Sequence, residues 1–413
     1  MANEIAGLIE VAGEAIDRLA ITPAQSLHST ISTRVFRAVG PAATPSRVIH
    51  DGIAGAVYAA VRGVTYASAR VSALGVRAVS RGADVRPISR TARGRKVLGV
   101  LNAFIGDRLD EERNDLVVNM AVRYEGRDLG CEPDALLAAY PSAGSHVAVF
   151  LHGLLENEEW WSRGRRRRDG VEALSFGERL EIDLAVTAVN VRYNTGLHVS
   201  ENGAQLAKLL EALVANWPCA LGRLSFVGHS MGGLVARSAC DFGVRSAHSW
   251  PARVCHMVTL GTPHTGAPLE KAVQLTGWAL NKIPEARPVA DILAMRSAGI
   301  RDLRFGYLLE DEWMAEDAGK LFDDRRGMLP LLPGCSHTFI GTTLTQQATH
   351  PLGWIMGDLF VRTDSAGGRH KERRIPISDD HVLHIGGLHH FDLLDHPKVY
   401  KLVRSALNDD AAQ

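Results

Sequence analysis

The sequence predicts an α/β fold, a mostly parallel sheet with helices on both faces. Two observations predict it. From about residue 145 onward, short apolar runs alternate with segments of helical periodicity, the pattern of repeated βα units. One of those runs leads through a glycine-flanked serine straight into a helical segment, which places a reactive side chain at a strand-to-helix turn.

The elements follow in order. His146–Leu151 (H-V-A-V-F-L) reads as a buried strand. Residues 184–191 read as another, after a helical region at 177–180, and residues 203–215 have helical periodicity. Residues 223–227 read as a strand, 232–242 as a helix and Val254–Leu260 as a strand, with later strands at 338–343 and 382–385. The first 110 residues differ, being rich in Ala, Val, Gly, Ser and Arg. Residues 53–80 read as a helix on which Arg62, Arg70 and Arg77 share one face. That face suits either solvent, with the small residues packed inward, or weak contact with a lipid or membrane surface. Pro41, Pro45 and residues 81–95 read as linkers.

Composition narrows the function. Lys+Arg and Asp+Glu are 46 each, so no net field draws the chain to nucleic acid. A local basic run, Arg163-Gly164-Arg165-Arg166-Arg167-Arg168, reads as a solvated loop with an anionic surface as its other reading. Cys131, Cys219, Cys240, Cys255 and Cys335 are scattered, odd in number and without C-x-x-C spacing. This reads as reduced, buried thiols and as no disulfide framework or zinc site. No metal and no cofactor is expected. Residues 1–20 carry four acids where a secretion signal needs a basic start, and no stretch is apolar enough to span a bilayer, so a cytoplasmic location is expected.

The chemistry rests on Gly228-His229-Ser230-Met231-Gly232. In a G-x-S-x-G turn the neighbours two residues from the serine must be small, because strand and helix backbones converge there. The turn presents the Ser230 hydroxyl at a helix N-terminus, where developing negative charge is favoured. The base and acid should follow the nucleophile in chain order, acid first and histidine last. The loop after the last strand, Gly386-Gly387-Leu388-His389-His390-Phe391-Asp392, offers His389 or His390. For the acid the candidates are Asp358 and Asp364, with Asp379 or Asp380 more distant.

Several segments resemble lipases. Phe150-Leu151-His152-Gly153-Leu154 resembles the H-G segment that aims a backbone N–H at the substrate oxygen. His390-Phe391-Asp392-Leu393-Leu394 resembles the run after a lipase histidine. The segment 357–366 resembles the triad-acid segment, although Gly357 and Leu359 depart from its pattern. With Leu260-Gly261-Thr262-Pro263-His264-Thr265-Gly266 and residues 192–198, the stretch 145–405 resembles the bacterial esterase/lipase family of α/β-hydrolases related to the GPI inositol-deacylase type. The resemblance does not reach the first hundred residues; it implies an α/β-hydrolase domain over 111–413, preceded by a helical extension over 1–110. Residues 267–334, long and helical with Trp278, Trp313, Leu308, Leu309 and Met328, read as a cap insertion or as extra core packing. The resemblance implies hydrolysis of carboxylic, lipid-like esters through an acyl-serine, with Ser230, Asp358 and His390 catalytic. Leu154 and Met231 would supply the oxyanion N–H groups, while His152, Gly153, His229 and Trp160 would contact substrate. A polyester depolymerase or acyltransferase on the same triad, or a non-catalytic binding protein of this fold, are the other readings.

Overall fold

The computed structural model describes residues 4–39, 44–79, 87–165, 174–267, 296–314, 329–346, 358, 361–369 and 374–408. The chain divides into two compact units. The first comprises Met1–Gly94, Leu109–Val117 and Ala272–Arg296; the second comprises Arg95–Arg108, Val118–Lys271 and Ser297–Gln413.

In the first unit, α1 (Glu4–Ile16) runs through one π-helical turn into α2 (Thr22–Val39), and a 36-residue α3 (Thr44–Val79) lies against α1. The side of α3 that packs was misjudged from the sequence. Arg62 Nε donates to Asp17 at 2.8 Å, Tyr66 Oη to the same carboxylate at 3.0 Å, and Arg77 Nη1 to Glu10 at 2.9 Å. Arg62 and Arg77 therefore pair with α1 and its π turn, while Arg70 is exposed. The exposed residues of α3 also include the aliphatic Val48, Ile53, Val57, Val64, Val71 and Leu74. Pro45 is no linker either. It falls in the first turn of α3, where its missing N–H costs nothing. Residues 88–90 and the start of α4 (Ala92–Glu111) replace much of the linker expected at 81–95.

The second unit is built on one eight-stranded sheet. A hairpin, β1 (Ala121–Tyr124) and β2 (Arg127–Leu129), precedes the short α5 (Pro133–Ala139). Then come β3 (His146–Leu151), α6 (Phe176–Leu184), β4 (Thr187–Arg192), α7 (Val199–Ala215), β5 (Arg223–His229), α8 (Met231–Arg245) and β6 (Val254–Leu260). After α9 (Ala298–Asp302) and α10 (Glu310–Met314) follow β7 (Ser336–Thr343), α11 (Thr363–Ala366), β8 (Val382–Gly386) and α12 (Pro397–Leu407). The spatial order is β2-β1-β4-β3-β5-β6-β7-β8, with β3 to β8 parallel and β1 antiparallel to β4 and β2. This is the α/β-hydrolase fold.

The core explains why these runs are strands. Along β3, Val147, Val149 and Leu151 enter one apolar cluster with α7 and α8, while Ala148 and Phe150 enter another with α6 and α12. Both faces are covered, so the strand reads as an unbroken apolar run. Side chains alternate between the faces at period two. Chain order reverses across β3: β4 lies on one side of it and β5 on the other. Ligands of open α/β sheets bind at such a switch point, beyond the carboxyl ends of the strands. The loops after β3 and β5 meet there.

Trp278 and Met328 of the expected cap lie outside the described residues, as do Gly357, Leu359 and Arg166 to Arg168. The described end of that insertion is core. Leu303 and Leu308 join the cluster around α7 and α8, and Gly299 N–H donates to the Gly196 carbonyl at 3.0 Å. Among the described residues no helix is long and apolar enough to cross a membrane.

Candidate active site

Ser230 stands between β5 and α8 with φ 50° and ψ −119°. That conformation is rare for a side-chain-bearing residue and costs about 1–3 kcal/mol. Two close approaches hold it. A Cβ on Gly228 would stand 2.6 Å from Gly233 N, and one on Gly232 would stand 2.5 Å from the Leu151 carbonyl oxygen. The G-x-S-x-G spacing is thus a packing requirement of the β5–α8 turn against β3. The Ser230 N–H donates to the Leu260 carbonyl at 2.8 Å, tying the turn to β6.

His390 lies just after β8, 3% exposed. Its Nδ1 is 2.7 Å from Asp358 Oδ2, and its own N–H donates to the Asp358 carbonyl at 3.3 Å. The other carboxylate oxygen of Asp358, Oδ1, accepts the Val361 N–H at 2.8 Å. An ionised Asp358 makes Nδ1 the protonated nitrogen, so Nε2 carries the lone pair a base needs. The ring lies against Gly261, where a Cβ would stand 3.0 Å from its Cε1 and Nδ1. The carbonyl that holds Ser230 belongs to the residue before Gly261, so the imidazole and the serine turn meet at the end of β6.

The two alternatives are placed elsewhere. His389 is 42% exposed on its side chain and its Nε2 bonds Asp392 at 3.0 Å. Asp364 is exposed on α11. The structure pairs His390 with Asp358 and sets the imidazole against Gly261, the residue after the one whose carbonyl accepts the Ser230 N–H.

Leu154 follows the turn after β3, and Met231 is the first residue of α8. The first N–H groups of a helix have no carbonyl one turn back to bond, so Met231 N–H is oriented towards whatever sits before α8. Gly153 touches the serine turn directly: a Cβ there would stand 3.0 Å from Ser230 Cβ. Trp160 packs on Phe391 with ring centroids 5.2 Å apart. His152 is fully buried and stacked on Tyr193 at 4.3 Å. Its Nδ1 faces the Gly153 carbonyl at 3.0 Å and its Nε2 accepts the Tyr193 N–H at 3.4 Å. Burial lowers its pKa. With both nitrogens engaged, His152 holds the loop and has no polar atom left for a substrate.

The sequence reading missed Glu156. Its carboxylate is buried, accepts the Gly153 N–H at 2.6 Å and meets His229 Nδ1 at 2.9 Å. His229 Nε2 in turn faces the His390 carbonyl at 3.2 Å. His229 is therefore also fully engaged, bridging the loop after β3 to the backbone of His390. Burial raises the Glu156 pKa, but the charge and hydrogen bond of His229 and the Gly153 N–H outweigh burial and leave it lowered. His390 shows the opposite balance. Burial pulls it down, yet the charge and hydrogen bond of Asp358 and the charge of Glu156 raise it above the ordinary imidazole value. No short motif marks a glutamate three residues after a glycine; only the fold of the loop shows it.

Residues 141–302 match the family model described as "Putative serine esterase (DUF676)". No curated protein matches the chain. Among solved structures, a Bacillus licheniformis lipase in its mature form is similar at 18% identity and TM-score 0.40, over 63% of this chain and 91% of that one. A hyperthermophilic esterase from the archaeon Pyrobaculum calidifontis is similar at 15% identity and TM-score 0.37, over 66% and 78% of the two chains. A Pyrococcus furiosus esterase is similar at 14% identity and TM-score 0.34, over 64% and 82%. Likenesses this distant carry no statement about the substrate of this chain.

Proposed function

Starting from a chain with the α/β-hydrolase fold whose residues 141–302 match a serine-esterase family, we propose a serine hydrolase that cleaves carboxylic esters through an acyl-serine. The observation that carries the reading is the Asp358–His390 pair set beside a strained Ser230 turn.

In the first step His390 Nε2 takes the hydroxyl proton as Ser230 Oγ bonds the ester carbonyl carbon. The oxyanion accepts from the N–H groups of Leu154 and Met231, which are fixed before the charge develops. His390 then gives its proton to the leaving alcohol as the carbon–oxygen bond breaks. In the second step His390 takes a proton from water and hydroxide adds to the acyl carbon. The acid departs as the proton returns to Ser230. Asp358 holds the imidazole tautomer throughout. Gly153 and Trp160 line the substrate side, while His152, His229 and Glu156 position the loop. A lipid-like ester suits this reading, as does weak contact of a lipid surface with the exposed Val and Ile residues of α3. Co-sedimentation with anionic phospholipid vesicles tests that contact: it should fall in Val57→Glu/Val64→Glu, and equal binding by both proteins would remove it.

Labelling with a fluorophosphonate, read by peptide mass spectrometry, tests the nucleophile. The adduct is expected on Ser230, with none on Ser230→Ala. No adduct on the wild type, or an adduct on another serine, would overturn the assignment.

A further inference from the structure

The amino-terminal end of the sheet carries a second cluster of reactive side chains. Ser225 on β5 is five positions before Ser230, about 17 Å along an extended strand, so this cluster is well removed from the ester site. Its geometry starts from an irregularity in the β5–β6 pairing. Leu224 pairs with Val254 and Ser225 with His256, which leaves Cys255 as an extra, unpaired residue. In a regular strand Cys255 and His256 would point to opposite faces. A bulge re-aims one of them, and here both side chains reach one hydroxyl. Ser225 Oγ is 3.1 Å from His256 Nδ1 and 3.5 Å from Cys255 Sγ. From β3, His146 Nε2 reaches the same oxygen at 2.8 Å. One ligand atom from each of His146, Cys255 and His256 lies within 4.8 Å of the others.

We propose that His146, Cys255 and His256 bind a zinc-like divalent cation that ties β3 to β6 across β5. Two imidazoles and a thiolate are a borderline-soft donor set of the kind zinc takes. With Zn–N of about 2.0 Å and Zn–S of about 2.3 Å, two nitrogens and one sulfur in tetrahedral positions stand roughly 3.3–3.5 Å apart. From within 4.8 Å, the three side chains need to close by at most about 1.5 Å. His256 is buried, while His146 and Cys255 are partly exposed, and the Ser225 hydroxyl, close to all three, is the nearest protein oxygen for a fourth position. Cysteine spacing alone argues against such a site, because the ligands come from two strands and the bulge that unites them leaves no trace in the sequence. Placed away from Ser230, the cation would stabilise the fold without entering the ester chemistry.

Cobalt(II) titrated into the full-length, metal-stripped protein tests the proposal, because only a cysteine ligand gives a thiolate-to-cobalt charge-transfer band. One equivalent should produce the band. Cys255→Ser should abolish it, and His146→Ala should weaken binding by about a hundredfold. Ser230→Ala should leave it unchanged. Independently of any variant, zinc should protect Cys255 from alkylation by iodoacetamide, read by peptide mass spectrometry, and should raise the melting temperature of the wild type. A missing band, a band that survives Cys255→Ser, or equal alkylation with and without zinc would overturn the site and leave a hydrogen-bonded cluster in its place.

Discussion

Asp358 meets His390 with one carboxylate oxygen and the Val361 N–H with the other, so its charge is spent on orientation. Asp358→Asn keeps the shape but offers the imidazole the wrong partner; kcat should fall by about 10⁴-fold, and a loss below tenfold would remove Asp358 from the triad. Glu156 acts at one remove, through Gly153 and His229. His390 works as a base only when neutral, so activity is lost as pH falls through its raised pKa. Glu156→Gln removes one of the charges that raise it. The acid limb of the kcat/KM profile should therefore move to lower pH, with kcat/KM at its plateau down about tenfold from a loosened loop. A limb that stays in place or moves up would contradict the electrostatic role. Asp358 was legible from a resemblance to a lipase segment, since nothing in its local spacing marks it. Glu156 was not legible, because a buried carboxylate in a loop has the same sequence signature as an exposed one.

The elements divide between those written in local pattern and those decided by contacts. Val254–Leu260 matches the expected strand, and the helix after Ser230 starts one residue before the expected 232–242 and ends three after it. Both have both-face burial or helical periodicity to announce them. The β1–β2 hairpin escaped notice because its strands are four and three residues long and β2 is Arg-Asp-Leu. Its place in the sheet comes from pairing with β4. On α3 the arginines are evenly spaced, and spacing alone cannot tell a solvated face from one that pairs with acids of a neighbouring helix. Asp17 accepts from Arg62, Tyr66 and Thr22, so Asp17→Ala should destabilise the helical unit by about 1–3 kcal/mol. Burial raises the Asp17 pKa, but the bonds from Arg62 and Tyr66 outweigh it and leave it lowered. A lowered carboxylate pKa gives stability above the unfolded value that is lost as pH falls through the folded one. The difference between wild type and Asp17→Ala, read by thermal unfolding, should accordingly shrink in acid. A constant difference down to the lowest pH would contradict the ionic account.

At the scale of the molecule, a parallel sheet fixes where chemistry can occur. The β3 and β5 loops meet where strand order reverses, and β6 and β8 bring Gly261 and His390 to the same end. That much was legible, because alternating βα units and one Gly-x-Ser-x-Gly turn specify both the layers and the edge that carries the site. What covers that edge was not, since helical periodicity does not say what a helix packs on. The central claim is that Ser230 is the nucleophile of an ester hydrolase. Hydrolysis of p-nitrophenyl esters over a range of acyl lengths, by wild type and Ser230→Ala, tests it most directly. The account predicts turnover by the wild type and a loss of roughly five to six orders of magnitude in kcat for the folded variant. Turnover that survives in Ser230→Ala, or none in a wild type that melts cooperatively, would contradict it.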